Sequence, residues 1–497
     1  MVVFGRCTVQ GATLRGIEAV PVDVEVVVGS GLPAFCIVGM PDAAIQEARE
    51  RVRAALRASG FSMPNERVVI NLAPGALRKT GSGFDLPIAV GVLVATGQLD
   101  QRIVSGSVLV GELSMEGMVR SVTGLLAYAL CARDRGCDLI CASVPKELVA
   151  IEGLIQRGVR TLADFRSGEL PVLQAAAPRR EVTLSDFREV AGHDLAKRAL
   201  QVAAAGNHGV LMTGPPGSGK TMLASRLPSI LPPLDEHEAL EAALVCSIAG
   251  EDMAAVLGGA RPFRSPHHSA SLAGLVGGGS PPRPGEVSLA HRGVLFLDEM
   301  PEFKPSALQA LRQPLELGRV VVTRADGNVI FPSCFMLVAA SNPCPCGYFG
   351  DAEHECTCTV SQIHTYQNRI GGPLMDRIDL HIAVQRIAPH EVLETGGGVS
   401  SDELRQGVLR AREYASWRRA RADDDGTMAA LVASCGLSDT NRAFYEKATG
   451  IARMSGRAIV RTLTVARTIA DMEEEAVVSK AHLCEALGLR FRESVGS

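Results

Sequence analysis

The sequence predicts an α/β protein built around a parallel sheet, with a mixed α+β block before it and an all-helical block after it. Three observations predict this. Between about Phe187 and Val384, short apolar strands are followed by helical stretches, the alternation that builds a parallel sheet. Before about residue 170, β-like alternation (Val22–Val28, Arg67–Asn71, Ser107–Val110) mixes with helical stretches (Ala43–Ser59, Leu86–Thr96). Beyond Pro389 and the Gly396-Gly397-Gly398 break, strand patterns vanish and helical periodicity runs to the end. The expected division is 1–170, a linker at 171–186 that includes Ala175-Ala176-Ala177-Pro178-Arg179-Arg180, then 187–387 and 388–497.

Composition bounds the function class. At 497 residues the chain exceeds one ordinary core and suits roughly three domains of ~150 residues. Hydrophobic residues make up 46% and glycines number 51, which predicts a folded, loop-rich chain rather than a disordered one. The net charge of −4 gives no global basic field, so any nucleic-acid contact has to come from local patches. Met1 to Val28 carries Arg6, Arg15, Glu18, Asp23 and Glu25, and no signal-peptide core. The longest uncharged apolar stretch, Leu86 to Leu99, is too short to span a bilayer and suits a buried helix. Thirteen cysteines, an odd number without a signal, point to a reducing cytoplasm. A cytoplasmic protein without membrane contact is expected.

The middle block carries the chemistry. Val210-Leu211-Met212 is a short apolar strand, and Gly214-Pro215-Pro216-Gly217-Ser218-Gly219-Lys220-Thr221 follows it directly and opens a helix. This is a complete phosphate-binding loop in its proper setting. Gly217 and Gly219 let backbone N–H groups turn toward phosphates, Lys220 brings an ammonium to the β/γ oxygens, and Thr221 offers its hydroxyl to Mg²⁺. Val294-Leu295-Phe296-Leu297 then predicts a buried strand ending in Asp298-Glu299, where an open α/β sheet binds ligands. Asp298 is expected to hold Mg²⁺ through water, and Glu299 to polarise the attacking water as general base. ATP and Mg²⁺ are therefore the expected cofactors. A third strand, Phe335 to Ala340, ends in Ser341-Asn342, and a polar amide at that place resembles the γ-phosphate sensor of an AAA+ ATPase. Gly372-Pro373-Leu374-Met375-Asp376-Arg377-Ile378-Asp379 offers Arg377 as an arginine finger for a neighbour's site; the alternative is a salt bridge to Asp376 or Asp379.

Further segments carry a more specific resemblance. Ala196-Lys197-Arg198-Ala199-Leu200, the phosphate loop, Arg261-Pro262-Phe263-Arg264-Ser265-Pro266-His267-His268, Pro284 to His291 and Asn342-Pro343-Cys344-Pro345-Cys346-Gly347 resemble the ComM/YifB family of bacterial magnesium-chelatase-like AAA+ ATPases. The likeness extends to Gly39-Met40-Pro41-Asp42 and Gly83-Phe84-Asp85-Leu86-Pro87-Ile88-Ala89, so it runs nearly end to end. The resemblance implies a hexameric DNA motor that drives branch migration in homologous recombination, notably in natural transformation. It also implies that the helical block is a lid whose segment Ser455 to Leu463 supplies Arg457 to the phosphates, with Arg461 as runner-up. A β-hairpin before the third strand is implied at Val320 to Ile330, around a polar Asp326-Gly327-Asn328 turn, with Arg324 and Asn328 offered to DNA in a central pore. A second pore element is implied around Gly274 to Gly285, where Gly277-Gly278-Gly279 also reads as a plain flexible loop.

The first block resembles a Lon-protease-like α+β domain, the ribosomal S5 domain 2-like fold, so proteolysis has to be weighed. Aligning Lys79-Thr80-Gly81-Ser82-Gly83 on the Lon pattern puts Gly83 at the nucleophile position, with Ser82 one place off, and the lysine position falls on Leu126. Without that dyad a non-catalytic platform is expected.

Two further clusters stand out. Cys344, Cys346, Cys356 and Cys358 form two Cys-x-Cys pairs beside His354, a set suited to a structural Zn²⁺. The tight spacing also fits plain reduced thiols or a redox-labile pair. Leu404 to Arg421 carries six arginines against one acid, Glu413; Arg405, Arg412 and Arg419 share a helix face and read as a phosphate track or as a solvated face around Trp417. The leading expectation is a DNA-translocating ATPase acting on branched or single-stranded DNA. Its rivals are a chelatase motor and a general protein-remodelling ATPase.

Overall fold

The computed structural model describes residues 3–145, 147–175, 184–324, 327–388, 398–421 and 427–490. The N-terminal block forms a seven-stranded sheet. Its strands are β1 (Val3–Arg15), β2 (Glu18–Gly29), β3 (Ala34–Val38), β4 (Arg67–Ala73), β5 (Ser107–Leu109), β8 (Asp138–Ala142) and β9 (Gln156–Val159), with β6 (Glu112–Leu113) and β7 (Val119–Arg120) as a separate ribbon. The order is β3-β4-β2-β1-β5-β8-β9, antiparallel at its β4-β2-β1 centre and parallel on both flanks. Helix α1 (Ala43–Ala58) buries Ile45, Ala48, Val52, Ala55 and Leu56, one helical face, and Asp42 caps its first turn. Helix α2 (Asp85–Ala95) is apolar all round and buries all but one residue, as the stretch 86–99 predicted. Gly91 lets it lie on β2, since a Cβ there would come within 2.7 Å of Val26.

The central block is a five-stranded, fully parallel sheet of order β11-β12-β15-β10-β16. Its strands are β10 (Val210–Thr213), β11 (Phe263–Arg264), β12 (Val294–Leu297), β15 (Met336–Ser341) and β16 (Leu380–Ala383). Every residue of β12 and β15 is buried, which is why they read as continuous apolar runs. Because β12, β15 and β10 are adjacent and parallel, the residues that follow them meet at one sheet edge.

Between β12 and β15 lies the expected hairpin, β13 (Arg319–Arg324) and β14 (Gly327–Pro332). Asn328 pairs with Thr323 and Gly327 with Arg324, so Gly327 and Asn328 are strand residues rather than the turn; Ala325 and Asp326 lie outside the described residues. The hairpin packs on the N-terminal block along its length: Phe331, Val322 and Val329 share a cluster with Leu14, Ile17 and Ala127, and a Cβ at Gly327, beside the tip, would lie 3.2 Å from the Arg15 guanidinium. The blocks also meet where α3 (Leu125–Asp134) lies on the helix Glu236–Ala249, burying Leu126 against Leu234, Ala239 and Ala243, with the Gly124 N–H donating to the Ser247 carbonyl at 3.1 Å.

The helical block comprises Ser401–Arg421, Met428–Cys435, Asp439–Ile451, Gly456–Met472 and Lys480–Gly488. Thr427, Ser438, Ser455 and Ser479 cap the last four, each accepting from a backbone N–H of the first turn. Two of the six arginines of 404–421, Arg412 and Arg418, are engaged inside the protein, while Arg410, Arg419 and Arg421 are exposed. Arg412 donates to the Ala204 carbonyl, Arg418 pairs with buried Asp471, Arg405 pairs with Asp402, and Arg421 stacks on Trp417. Of the expected linker, Leu173 is bonded to the β9 edge through the Gln156 carbonyl, while 176–183 lie outside the described residues, as do Pro389, Gly396 and Gly397.

Candidate functional site

The loop after β10 is built for a phosphate chain. Gly217 and Gly219 have φ of +78° and +84°, the left-handed region that glycine adopts without strain, and nothing lies within 4 Å of a Cβ at Gly217. Lys220 starts the next helix, and its buried ammonium donates to the carbonyls of Gly214 at 2.7 Å and Pro215 at 2.8 Å. It also reaches the Asn342 Oδ1 at 3.4 Å. Burial pulls the Lys220 pKa below its usual value, while the charges of Asp298 and Glu299 push it back up.

Thr221 donates to the Asp298 Oδ2 at 2.8 Å, and the other Asp298 oxygen accepts from the Glu299 N–H at 3.0 Å. Two hard oxygen donors therefore converge beside the loop, a donor set that fits Mg²⁺. Glu299 adopts φ +49° and ψ +47°, and its half-exposed carboxylate points toward His268, 3.8 Å away. The structure thus brings Gly214 to Thr221, Asp298, Glu299 and Asn342 to one edge of the sheet, as the three strand ends require.

Arg377 and Arg457 lie elsewhere. Arg377 precedes β16, whose Leu380 pairs with Val210 at the start of β10, whereas the phosphate loop follows the end of β10. The two positions are at opposite edges of the sheet. The Arg377 guanidinium pairs with Glu316 and donates to the Pro373 carbonyl. It pairs with neither Asp376 nor Asp379. Arg457, expected to reach the phosphates, donates to the same Glu316 at 2.9 Å and so stands beside Arg377. The Arg377 bond holds the Glu316 carboxyl below the usual range. Arg461 is engaged by Asp379 at 2.6 Å and by the Arg377 carbonyl at 2.9 Å, a brace beneath the pair.

The four cysteines do come together. Their sulfurs all lie within 4.8 Å of one another, in the segment directly after Asn342. The Tyr348 N–H, donating to Cys346, lowers that thiol to about 5. His354 stacks on Tyr348, with ring centroids 4.9 Å apart, and is no member of the cluster.

Three residues of the site were not foreseen. His268 belongs to a segment noted only for its likeness to relatives, and His193, at φ +59°, lies against Gly219. Tyr366 is buried, which pushes its phenol up to about 12, with the charges of Glu302 and Glu299 adding to the effect. No local spacing links these three to the loop. In the N-terminal block, Ser82 donates to Glu112, Lys79 is buried on the carbonyls of Gly39 and Pro74, and Leu126 is interface core.

Comparison with known proteins places this geometry. Residues 186–392 match the family described as magnesium chelatase, subunit ChlI; residues 24–147 match subunit ChlI of Mg-chelatase, and 398–490 its C-terminal part. The chain is 41% identical over 487 residues to the competence protein ComM of Haemophilus influenzae, covering 96% of this chain and 95% of that protein. It is 39% identical over 483 residues to the uncharacterized protein YifB of Escherichia coli, at 96% and 95% coverage. A magnesium-chelatase 67 kDa subunit of Chlorobaculum parvum is 30% identical over 161 residues, only 32% of this chain and 23% of that one. With a phosphate loop, paired acids and strand-end amide on one parallel sheet, and likeness of this extent, the chain belongs to the ComM/YifB family of magnesium-chelatase-like AAA+ ATPases, which implies ATP and Mg²⁺ as its cofactors.

Proposed function

We propose that the chain is an ATP-driven DNA motor that works as a hexameric ring and migrates branch points in homologous-recombination intermediates during natural transformation. The observation that carries this reading is the end-to-end likeness to a protein named for competence. Lys220 and the loop 214–221 bind the phosphates, Glu299 takes the proton of the attacking water, and Asn342 senses the γ-phosphate. Mg²⁺, held by Thr221 and through water by Asp298, would neutralise charge on the β/γ oxygens. Arg377 and Arg457, both on Glu316 at the far sheet edge, serve the neighbouring subunit's ATP. Their position supports a ring, since neither meets the phosphate loop of its own chain.

In this reading the units are 1–170, 171–186, 187–387 and 388–497. The first is a Lon-like platform without protease chemistry, a view supported by the apolar Leu126 packed into the interface. Arg324 and Asn328 of the hairpin meet the DNA backbone, and the protein works in the cytoplasm. Among the described residues, no helix is long and apolar enough to cross a membrane. The test is the ATPase rate with four-way-junction DNA, followed by branch migration of a labelled junction. Stimulation by DNA with junction movement supports the motor. Stimulation by protein additives alone favours a remodelling ATPase, and stimulation only by a metal-inserting partner favours a chelatase motor.

A further inference from the structure

The chain that leaves β15 stays against the nucleotide site. Asn342 is followed by Pro343, whose carbonyl accepts from Gln367 at 3.0 Å, and then by Cys344, which is fully buried and accepts from the Phe349 N–H. Gly347 turns at φ +88° with its α-carbon pressed on the phosphate loop: a Cβ there would sit 2.7 Å from the Pro216 ring and 4.0 Å from the Asn342 carboxamide carbon. Arg386, just beyond β16, pairs with Asp351 at 3.2 Å and lies over the Tyr348 ring. The segment 344–358 is thus held against three parts of the ATPase core: the end of β15, the phosphate loop and the chain after β16.

At its base stand the four thiols. Cys344 and Cys346 are 3.3 Å apart, Cys344 and Cys356 3.7 Å, and Cys346 and Cys356 3.6 Å. A disulfide would need ~2.05 Å. Four thiolates around Zn²⁺ at ~2.3 Å put tetrahedral edges at about 3.8 Å, close to the longer separations seen. With four sulfur ligands and no oxygen ligand, the set suits zinc rather than Mg²⁺.

We propose that Cys344, Cys346, Cys356 and Cys358 hold one Zn²⁺ in a closed tetrahedral site, and that this metal keeps Asn342 and the Pro216 turn in the arrangement that hydrolyses ATP. The second half rests on the nucleotide-site reading of 214–221 and Asn342. Without the metal, the two Cys-x-Cys pairs are joined only by weak thiol contacts and backbone N–H bonds to sulfur, a looser tie than four metal–thiolate bonds. The loop then loosens where it meets Pro216, and a shift of ~1 Å at a positioning group costs about 10²-fold in rate.

The test uses the full chain purified without chelator. Elemental analysis is expected to find one zinc per chain, and chains that neither carry zinc nor take up added Zn²⁺ overturn the site. Cys356→Ser should lose the metal and slow hydrolysis by about 10²-fold, with binding of a fluorescent ATP analogue unchanged. Cys356→His, which restores a zinc ligand, should recover both metal and rate. Gly347→Ala leaves the thiols intact and should keep its zinc yet hydrolyse slowly, because its Cβ displaces Pro216. If Cys356→Ser does not fold, Gly347→Ala decides the coupling: wild-type hydrolysis in that variant, or in any zinc-free one, overturns it. Wild-type protein that holds zinc but binds no ATP analogue would instead sink the nucleotide-site reading.

Discussion

Glu299 joins catalysis to stability in a way that substitution can separate. Its φ of +49° and ψ of +47° lie in the left-handed region, where an L residue with a long side chain pays roughly 1–2 kcal/mol. Asparagine visits that region readily, so Glu299→Asn should recover about 1 kcal/mol. Glycine recovers the same strain but returns ~0.5–1 kcal/mol as unfolded-chain entropy, so Glu299→Gly should gain less. Glu299→Gln keeps both the backbone strain and the side-chain shape, and should melt with the wild type. The contact to His268 changes little here, since at 3.8 Å between partly exposed groups it is worth well under ~1 kcal/mol. For a unit of this size, 1 kcal/mol corresponds to roughly 2–4 °C in Tm. All three variants should lose hydrolysis by about 10²–10⁴-fold, the usual worth of a general base, while still binding ATP. Nucleotide-free thermal unfolding and steady-state phosphate release measure the two effects. A wild type that melts above both Asn and Gly variants would refute the strain argument, and wild-type hydrolysis by Glu299→Gln would refute the general base.

Lys220→Ala should abolish nucleotide binding, measured with a fluorescent ATP analogue, because the loop loses the ammonium at its base. Arg377→Ala and Arg457→Ala should each bind ATP yet hydrolyse poorly, and mixing either with Lys220→Ala chains should restore some activity; no rescue in confirmed mixed rings would count against action on a neighbour. Burial raises the Asp379 carboxyl, but the bonds to His208 and Arg461 outweigh it and hold its pKa low. Its stabilising share is therefore present above the unfolded value of ~3.9 and lost as pH falls below it, and Asp379→Asn should flatten that acid limb in pH-dependent unfolding. Arg324→Ala should keep basal ATPase and assembly but lose DNA stimulation, with a salt slope reduced by about one per contact removed; wild-type junction processing would reject the hairpin as a DNA element.

What the sequence made legible follows from which interactions are local. The phosphate loop, the acids after β12 and the amide after β15 each sit at the end of a buried apolar strand, so a run of three or more apolar residues pointed to all three. Parallel pairing then had to bring those ends to one edge, and the adjacency of β12, β15 and β10 does so. The α2 helix was legible for the same reason, as an uncharged run too short for a bilayer. His268, His193 and Tyr366 were not, because they enter through segments remote from the loop and only the packed chain makes them neighbours.

The arginines fail differently. In the stripe 404–421, spacing correctly marked a helix but could not distinguish a guanidinium facing solvent from one donating to Ala204 or buried on Asp471. Arg457 was assigned by its place in a motif, which says nothing of the sheet edge to which the helix 456–472 is fastened. That fastening depends on Asp379, which collects His208 at the start of β10, Arg461 of the helix and the Gly209 N–H into one buried knot. The knot lies at the strand starts, so it draws the N-terminal turn of the helix, and Arg457 with it, away from its own phosphate loop and toward Arg377. The same carboxylate that fixes the fold therefore also decides at which edge of the parallel sheet the two arginines stand.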